Sequence, residues 1–319
     1  MLGIDIGGAN TKIVDIDNNK VYHIYFPIWK MKDRLVDLLK DFSDDKVALV
    51  MTAELADCYK TKREGVEDIL NKVGSVFKEV YVLDVDGNFL TLDEAKRNYL
   101  KVSASNWMAS AKFISKFYDN CIFIDMGSTT TDIIPIKDKK ILAKKTDLER
   151  LMENQLLYVG ALRTNLSFLT NRVLFRGKET NISSEYFAIT ADICRILGKI
   201  DENDYSCETP DGGGKDLESC YIRLARVLCA DIEMVSKDEL YSLAEQFYNK
   251  ILNLIRENVN KVASRYGIKD VVICGQGEDI IKDALKDYNV ISIKEKYGKE
   301  ISLAFPAFAV GKLLEVEIC

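Results

Sequence analysis

The amino-acid sequence predicts an α/β protein of two similar lobes around a central cleft, with a helical insertion in the second lobe. The first observation is that two apolar runs joined by a polar, glycine-containing turn begin the chain and recur near residue 121. The second is that strand and helix patterns alternate after each pair, which is typical of parallel sheets. The third is the length of 319 residues, which is enough for two domains with large cores.

The first lobe is predicted over residues 1–117 and begins with an antiparallel meander. Alternating polar and apolar residues predict its strands, and apolar residues at helical spacing predict its helices. The predicted elements are strands at 2–6, 12–16 and 20–26, a helix at 31–42, a strand at 46–51, a helix at 62–77, a strand at 79–83 and a helix at 104–117.

The second lobe is predicted over residues 118–319 and repeats the opening meander, which indicates an internal duplication of topology. The insertion is predicted at about 145–235, where clear strand patterns are lacking and three consecutive glycines predict a flexible loop. The predicted elements are strands at 122–126, 131–135 and 140–144, helices at 183–197, 217–230 and 237–266, a strand at 270–274, a helix opened by 275–277, a strand at 290–293 and a helix at 305–314.

The composition and the distribution of charge are those of an ordinary globular protein. The net charge is −6 with acids and bases interspersed, which argues against a nucleic-acid partner because such a surface needs clustered basic residues. No apolar run approaches the roughly 18–20 residues that span a bilayer, so no membrane partner is expected. The amino terminus lacks the layout of a signal peptide, which predicts a cytoplasmic protein. A homo-oligomer is left open.

Eight cysteines and a single histidine, His23, limit the available chemistry. The absence of a CxxC pair argues against a zinc site, and there is no pattern of a Cys–His dyad. Most of the cysteines lie in apolar runs, which predicts reduced thiols in the core. Any proton transfer is therefore expected to use a carboxylate, a lysine or a tyrosine.

The strongest functional signal is a pair of polar turns, DIGGANTK at 5–12 and DMGSTTTD at 125–132. Consecutive N–H groups in such turns form a concavity that binds anions, and Lys12 could neutralise a phosphate. Each turn alone could be an ordinary hairpin turn, but together they predict two facing halves of one phosphate site. Asp5 and Asp125 would lie at facing strand ends, where two carboxylates beside a polyphosphate most simply hold Mg²⁺. The predicted phosphate-binding residues are Gly7, Gly8, Asn10, Thr11, Lys12, Gly127, Ser128, Thr129 and Thr130.

A third turn, CGQGED at 274–279, places Gly275, Gln276 and Gly277 between a strand and a helix. N–H groups at the start of a helix bind anions, and glycines let the backbone approach a flat ligand closely. Alone, this turn is weak evidence for a binding site. It becomes specific evidence because it follows the other two turns along the sequence.

Further candidates lie outside the three turns. Glu54 follows a strand end, where it could equally be an acid in the first turn of a helix, and Asn106 starts a helix beside a tryptophan that could be a core residue. The insertion adds four charged candidates, which are Arg163, Asp192, Asp211 and Arg223. Charged side chains usually face solvent, so each of these is a weak signal by itself.

In their order, the three turns resemble those of the acetate and sugar kinase/Hsp70/actin superfamily, over the whole chain. The resemblance implies two ribonuclease H-like lobes, with the first two turns as phosphate loops and the third beside the adenosine pocket. Within the superfamily the chain is similar to the hydantoinase/oxoprolinase A-type branch, and more so to an archaeal group of condensing enzymes of methanofuran biosynthesis. The segments that carry this last resemblance are 51–66, 104–110, 158–164 and 209–231.

The resemblance implies a transferase that joins (5-aminomethyl-furan-3-yl)methyl diphosphate to the phenol oxygen of γ-glutamyltyramine. It would form an aryl ether and release diphosphate, with Mg²⁺ and without an organic cofactor. In hydantoinase-type sequences the first turn commonly ends in Thr-Asp, whereas here it ends in Thr11–Lys12. A cation in place of an acid suits a leaving diphosphate and puts ATP hydrolysis in doubt.

Residue roles follow as hypotheses from this resemblance. Asp5, Lys12 and Asp125 would be catalytic, and the base that takes the phenol proton would be Asp192 or Asp211, with Glu54 as the next candidate. The expected substrate-binding residues are Glu54, Asn106, Arg163 and Arg223, of which either arginine could hold the glutamyl carboxylate through a bidentate contact.

Two other functions are compatible with the same turns. One is an ATP-dependent small-molecule kinase or a hydantoinase/oxoprolinase-like ATP hydrolase, for which ATP would be required. The other is a nucleotide-sensing or chaperone-like binding protein. Turnover of ATP without the phenol would favour the first, and nucleotide binding without any turnover would favour the second.

Overall fold

The computed structural model describes residues 1–42, 44 and 46–318. Within these residues, two α/β lobes, each with one mixed sheet, enclose a cleft, as the sequence predicts. No helix in the described part of the chain is long and apolar enough to cross a membrane. The described cysteines are free and most of them are buried, whereas Cys319 lies outside the described residues.

The first lobe is built on a six-stranded sheet. Its strands are β1 (Leu2–Ile6), β2 (Asn10–Asp15), β3 (Lys20–Tyr25), β4 (Lys46–Met51), β5 (Glu79–Leu83) and β6 (Phe89–Leu90). The order across the sheet is β3-β2-β1-β4-β5-β6. Strand β1 lies antiparallel to β2 and parallel to β4, and all of its residues are buried because helices cover both faces.

The helices of the first lobe are α1 (Ile28–Met31), α2 (Leu35–Lys40), α3 (Lys62–Val76), α4 (Leu92–Arg97), α5 (Tyr99–Val102) and α6 (Asn106–Ile114). A 3₁₀ turn at Lys32–Arg34 separates α1 from α2, so the single helix predicted at 31–42 is wrong. Helix α6 starts two residues later than predicted because Ala104 has a φ of 48°, which lies outside the helical region.

The second lobe repeats this topology. Its strands are β7 (Cys121–Met126), β8 (Thr131–Lys137), β9 (Lys140–Ile141), β10 (Leu156–Leu157), β11 (Arg172–Phe175), β12 (Lys178–Asn181), β13 (Asp270–Cys274) and β14 (Asn289–Ser292). The sheet order is β10-β8-β7-β13-β14, with β9 also paired to β8. Strands β7, β8, β13 and β14 therefore take the places of β1, β2, β4 and β5 in the first lobe.

The helices of the second half are α7 (Asp147–Met152), α8 (Leu166–Leu169), α9 (Thr190–Ile196), α10 (Leu217–Val227), α11 (Lys237–Tyr266), α12 (Glu278–Ala284), α13 (Ile293–Tyr297), α14 (Lys299–Leu303) and α15 (Phe305–Ile318). The insertion also contains the hairpin β11–β12, although the sequence predicts no clear strands there. Helix α9 covers only the end of the helix predicted at 183–197, because Ile189 pairs with Asn165 in an extended bridge.

The two lobes share one apolar core at the base of the cleft. Helix α15, from the end of the chain, packs against β1 and β4 of the first lobe and against α6. Trp107 on α6, Phe123 on β7 and Phe305 on α15 are fully buried in this core. Because these elements come from both lobes, the shared core holds the ends of β1 and β7 on facing sides of the cleft.

Candidate active site

A cavity of about 210 Å³ lies between the lobes, where the turns after β1 and β7 face each other. Residues of both lobes line it. From the first lobe these are Asp5, Gly7, Gly8, Asn10, Lys12, Thr52, Ala104 and Asn106. From the second lobe they are Asp125, Gly127, Ser128, Thr129, Thr130, Asp132, Asp147, Arg150, Leu156, Tyr158 and Arg163.

The two polar turns close with the same backbone hydrogen bond. The N–H of Gly7 donates to the carbonyl of Asn10 (3.0 Å), and the N–H of Gly127 donates to the carbonyl of Thr130 (2.9 Å). Each turn thus folds into a compact loop of small residues whose backbone reaches the cavity. Gly160 packs so tightly on the second turn that a Cβ there would overlap the backbone of Ser128.

Lys12 lies between the carboxylates of the two turns. It is the register partner of Asp5 in the β1–β2 pair, and its Nζ lies 3.3 Å from Oδ2 of Asp5. Burial disfavours the charged form of Lys12, but Asp5 and Asp125 outweigh that effect and raise its pKa. Lys12 is therefore a cation that lines the cavity.

Asp125 is held in a different environment. Burial raises its pKa to about 7, and Asp132 and Asp5 add to this effect while Lys12 opposes it. Its register partners are Asp132 on β8 and Cys274 on β13. Gly275 follows Cys274 with a φ of 93°, and a Cβ there would overlap Oδ1 of Asp125. Glycine is thus required beside this carboxylate.

A cluster of three charged residues, Asp132, Asp147 and Arg150, forms the wall of the cavity next to Asp125. The guanidinium of Arg150 binds the carboxylates of both Asp132 and Asp147, the latter at 2.7 Å. It also lies over the ring of Trp107, 4.8 Å from the ring centre. Burial disfavours the charged form of Arg150, but the two carboxylates outweigh it and raise its pKa.

Arg163 supplies a further cation at the second turn. Its Nη1 donates to Oγ1 of Thr129 (3.2 Å), and its guanidinium lies 4.9 Å from the ring centre of Trp29 in the first lobe. No carboxylate pairs with Arg163 within the described residues. Its charge is therefore available to an anion in the cavity.

The third predicted turn lies behind the second one and does not line the cavity. The N–H of Gly277 donates to the carbonyl of Met126 (2.9 Å), and the N–H of Gly275 donates to Oγ of Ser302 (3.0 Å). The side chain of Gln276 donates to the carbonyl of Asp204 (2.9 Å). These donors are therefore already occupied by the protein itself.

Three of the four charged residues that the sequence singles out in the insertion form a network away from the cavity. The guanidinium of Arg223 is fully buried and binds Asp192 (2.8 Å) and Asp211 (3.1 Å). Asp192 also accepts a hydrogen bond from Tyr205 (3.1 Å), and Asp211 also pairs with Arg226 (2.8 Å). None of Asp192, Asp211 and Arg223 lines the cavity, because each is committed to this network.

Two other predicted residues are buried outside the cavity. Glu54 is 1% exposed and pairs with Lys62 at 3.3 Å, and burial raises its pKa. Thr11 is fully buried, next to Lys12 in β2. By contrast, Asn106 lines the cavity at the start of α6, as do Asp5, Lys12, Asp125 and the other residues predicted in the first two turns.

The sequence reasoning did not single out Thr52, Ala104, Asp147, Arg150, Leu156 and Tyr158 as site residues, and it left Asp132 without a role. Asp147 and Arg150 belong to a helix that begins with a capping box at Thr146, a pattern that indicates a helix start and nothing more. The sequence does contain two signals for such residues. Asp132 ends the second polar turn, and Tyr158 lies in the same short segment as Arg163.

Comparisons with known proteins agree with this architecture. The family model of the hydantoinase/oxoprolinase proteins matches residues 45–317. The chain is 68% identical, over all of its length and 98% of the other protein, to the (4-{4-[2-(gamma-L-glutamylamino)ethyl]phenoxymethyl}furan-2-yl)methanamine synthase of Methanocaldococcus jannaschii. It is 55% identical, over 65% of its length and 97% of the other protein, to the synthase of the same name from Methanococcus vannielii.

Among solved structures, the nucleotide-free structure of acetone carboxylase is similar in fold. The TM-score is 0.58 at 11% sequence identity, over 97% of this chain and 69% of that chain. At this identity the likeness supports the fold of the two lobes.

Proposed function

This chain belongs to the hydantoinase/oxoprolinase family, and we propose that it condenses (5-aminomethyl-furan-3-yl)methyl diphosphate with γ-glutamyltyramine in methanofuran biosynthesis. It is a transferase that forms an aryl ether. The names of its relatives contain the parts of that product, a phenoxymethyl link and a furan with a methanamine group. The 68% identity extends over the whole chain, so the proposal concerns the complete reaction.

In this reaction the bond between the methylene carbon and the diphosphate oxygen breaks, and its electron pair leaves with the diphosphate. The phenol oxygen forms a new bond to that carbon, and the phenol proton passes to a base. The furan donates electron density to the methylene, so this carbon becomes cation-like. The protein must therefore stabilise the negative charge that develops on the diphosphate.

The observation that carries the proposal is the position of Lys12 between two facing anion-binding turns. Its Nζ lies 3.3 Å from Asp5, and the carboxylate of Asp125 also stabilises its charge. A fixed cation at this point gains interaction energy as charge builds up on a leaving diphosphate. Arg163 adds a second cation beside Thr129, where the second turn contributes its small, hydroxylated residues.

Asp5 and Asp125 are the residues that we propose for Mg²⁺. Oδ1 of Asp5 is buried without a hydrogen-bond partner, which fits a carboxylate that has a ligand still to bind. No group of three or more candidate metal-binding side chains exists among the described residues. Two carboxylates with substrate phosphates and water are, however, the usual way in which proteins bind Mg²⁺. When bound, Mg²⁺ would neutralise charge on the leaving diphosphate.

The base is best sought among the carboxylates of the cavity. Asp192, Asp211 and Glu54 do not line it, whereas Asp125 does, so Asp125 is a candidate base as well as a candidate metal ligand. A carboxylate bound to Mg²⁺ is a poor base, so a titration should separate the two roles of Asp125. Activity of Asp125→Asn that returns at high Mg²⁺ indicates a metal ligand, and a loss that no Mg²⁺ concentration restores indicates the base.

The ATP-dependent alternative is not favoured. Curated relatives at 68% and 55% identity are named as synthases of the same compound. The backbone N–H groups of Gly275 and Gly277 and the side-chain amide of Gln276 are also bound within the protein, which leaves fewer donors at that turn for a nucleotide. The cytoplasmic location and self-association remain predictions.

The direct test is to incubate the protein with Mg²⁺, the furan diphosphate and γ-glutamyltyramine, and to measure both diphosphate and the ether. We expect both products in equal amounts, and diphosphate release that depends on the phenol. Turnover of ATP without the phenol, or diphosphate release without ether, would contradict the proposal. Heat-denatured protein serves as the control for hydrolysis in solution.

A further inference from the structure

The wall of the cavity next to Asp125 carries an excess of negative charge. Two carboxylates, Asp132 and Asp147, share one guanidinium, that of Arg150, which leaves one negative charge in the group. Only their Oδ1 atoms bind Arg150, and their Oδ2 atoms accept no hydrogen bond within the described residues. All three side chains line the cavity.

The two carboxylates are held in place by their surroundings. Asp132 is 8% exposed and Arg150 is 2% exposed, and the guanidinium rests on the ring of Trp107. The side chain of Asp147 is 31% exposed, so it has more contact with solvent than Asp132. Within the described residues, the Oδ2 atoms of these two cavity-lining residues are free acceptors, which a ligand with N–H donors would satisfy.

Side chains of both charges line the cavity. Asp132 is the register partner of Asp125, so it lies one strand spacing, about 4.8 Å, from the strand that bears Asp125. Lys12 and Arg163 line the same cavity, so it holds cations as well as this excess of carboxylates. Such a field orients a ligand that has an anion at one end and a cation at the other.

We infer that Asp147 and Asp132 bind the ammonium of the aminomethyl group of the furan substrate. This inference rests on the proposed function, in which the diphosphate of the same molecule binds the two turns. The ammonium has three N–H donors for the free oxygens of the two carboxylates. The pair selects furans that carry an amine, because a substrate without the amine leaves the second oxygen of each carboxylate without a donor.

Asp147 is the residue to change, because Asp132 is more deeply buried and its loss would disturb Arg150. The variant Asp147→Asn keeps the shape and removes the charge. The probe is an analogue of the furan diphosphate in which a methyl group replaces the aminomethyl group. Asp93→Asn is the matched control, since Asp93 lies in the first turn of α4, which starts with the same type of capping box and does not line the cavity.

For the wild-type protein, kcat/KM for diphosphate release is expected to be at least about tenfold lower with the analogue than with the natural substrate. Asp147→Asn should lower kcat/KM about tenfold with the natural substrate, mainly through KM, and less than about twofold with the analogue. Asp147→Glu should recover part of the loss, and Asp93→Asn should behave as wild type with both substrates.

An equal loss with both substrates would assign Asp147 a structural role and overturn the inference, as would no loss with either. If wild-type protein releases no diphosphate from either compound in the presence of the phenol, the proposed function fails and the inference fails with it. Failure of the inference can be told apart from failure of the proposed function, because the activity of the wild-type protein is measured in the same experiment.

Discussion

The two polar turns close with the same backbone hydrogen bond and differ in charge. Both close with a hydrogen bond from a glycine N–H to a carbonyl three residues later, at 3.0 Å in the first turn and 2.9 Å in the second. However, the aspartate that precedes the first turn faces Lys12, whereas Asp125 faces Asp132. A duplicated fold thus supplies two equivalent loops, and the register partner of each aspartate decides which loop carries the cation.

The cations that pair with the aspartates of the two turns also differ in their exposure to solvent. The side chain of Lys12 is 20% exposed and lines the cavity, while the side chain of Arg150, which pairs with Asp132, is 3% exposed. We therefore expect Lys12 to act mainly in the reaction and Arg150 mainly in holding the second turn and its neighbours together.

The largest effect on stability is expected from Arg150→Met. It leaves Asp132 buried beside Asp147 without a cation, and breaking a buried ion pair typically costs about 3–5 kcal/mol. Thermal or urea unfolding measures this loss. Arg172→Met, which removes an exposed ion pair to Glu179, is the control and should cost less than about 1 kcal/mol. Equal losses in the two variants would contradict the structural role of Arg150.

The largest effect on activity is expected from Lys12→Met, with kcat about 10²–10³-fold lower, as for the removal of one preorganised donor at a developing anion. The variant also leaves Asp5 buried without its cation, so some stability is lost as well. The double variant Asp5→Asn/Lys12→Met should recover stability without recovering activity. Wild-type diphosphate release by either variant would remove Lys12 from the mechanism.

A smaller effect on stability is expected when alanine replaces the glycine at the start of either turn, and it should differ between the two turns. A Cβ at Gly7 would lie 2.7 Å from the carbonyl oxygen of Asn10, whereas one at Gly127 would lie 3.8 Å from that of Thr130, an ordinary contact. Gly7→Ala should therefore cost about 1–3 kcal/mol in unfolding free energy, and Gly127→Ala less than about 1 kcal/mol. Urea unfolding measures both losses. Similar losses in the two variants would contradict the predicted difference between the turns.

The smallest effect is expected at the insertion. Asp211 is partly exposed and pairs with Arg226 at the surface, and the buried Arg223 keeps Asp192 as its partner without it. Asp211→Asn should therefore change the unfolding free energy by less than about 1 kcal/mol and leave kcat unchanged. A large loss of kcat at full stability would return Asp211 to the list of candidate bases and would show that the network around Arg223 reaches the substrate.

The sequence alone was sufficient for the parts of the site that are local in the chain. Asp5, Lys12 and Asp125 lie in turns whose glycines and hydroxylated residues indicate an anion site, and the structure brings them to one cavity. The partners of Asp192 and Arg223 were not predictable, because tertiary packing decides whether a charged side chain reaches a cleft or an opposite charge. Asp147 and Arg150 were missed because their segment has the pattern of an ordinary helix start.

The most direct test of the central claim, that two facing turns bind one diphosphate, is a crystal structure of the protein with Mg²⁺ and diphosphate. We expect the diphosphate in contact with backbone N–H groups of both turns, at 7–10 and 127–130, and with Nζ of Lys12. Diphosphate bound at one turn alone, or at the turn formed by Gly275, Gln276 and Gly277, would contradict the claim.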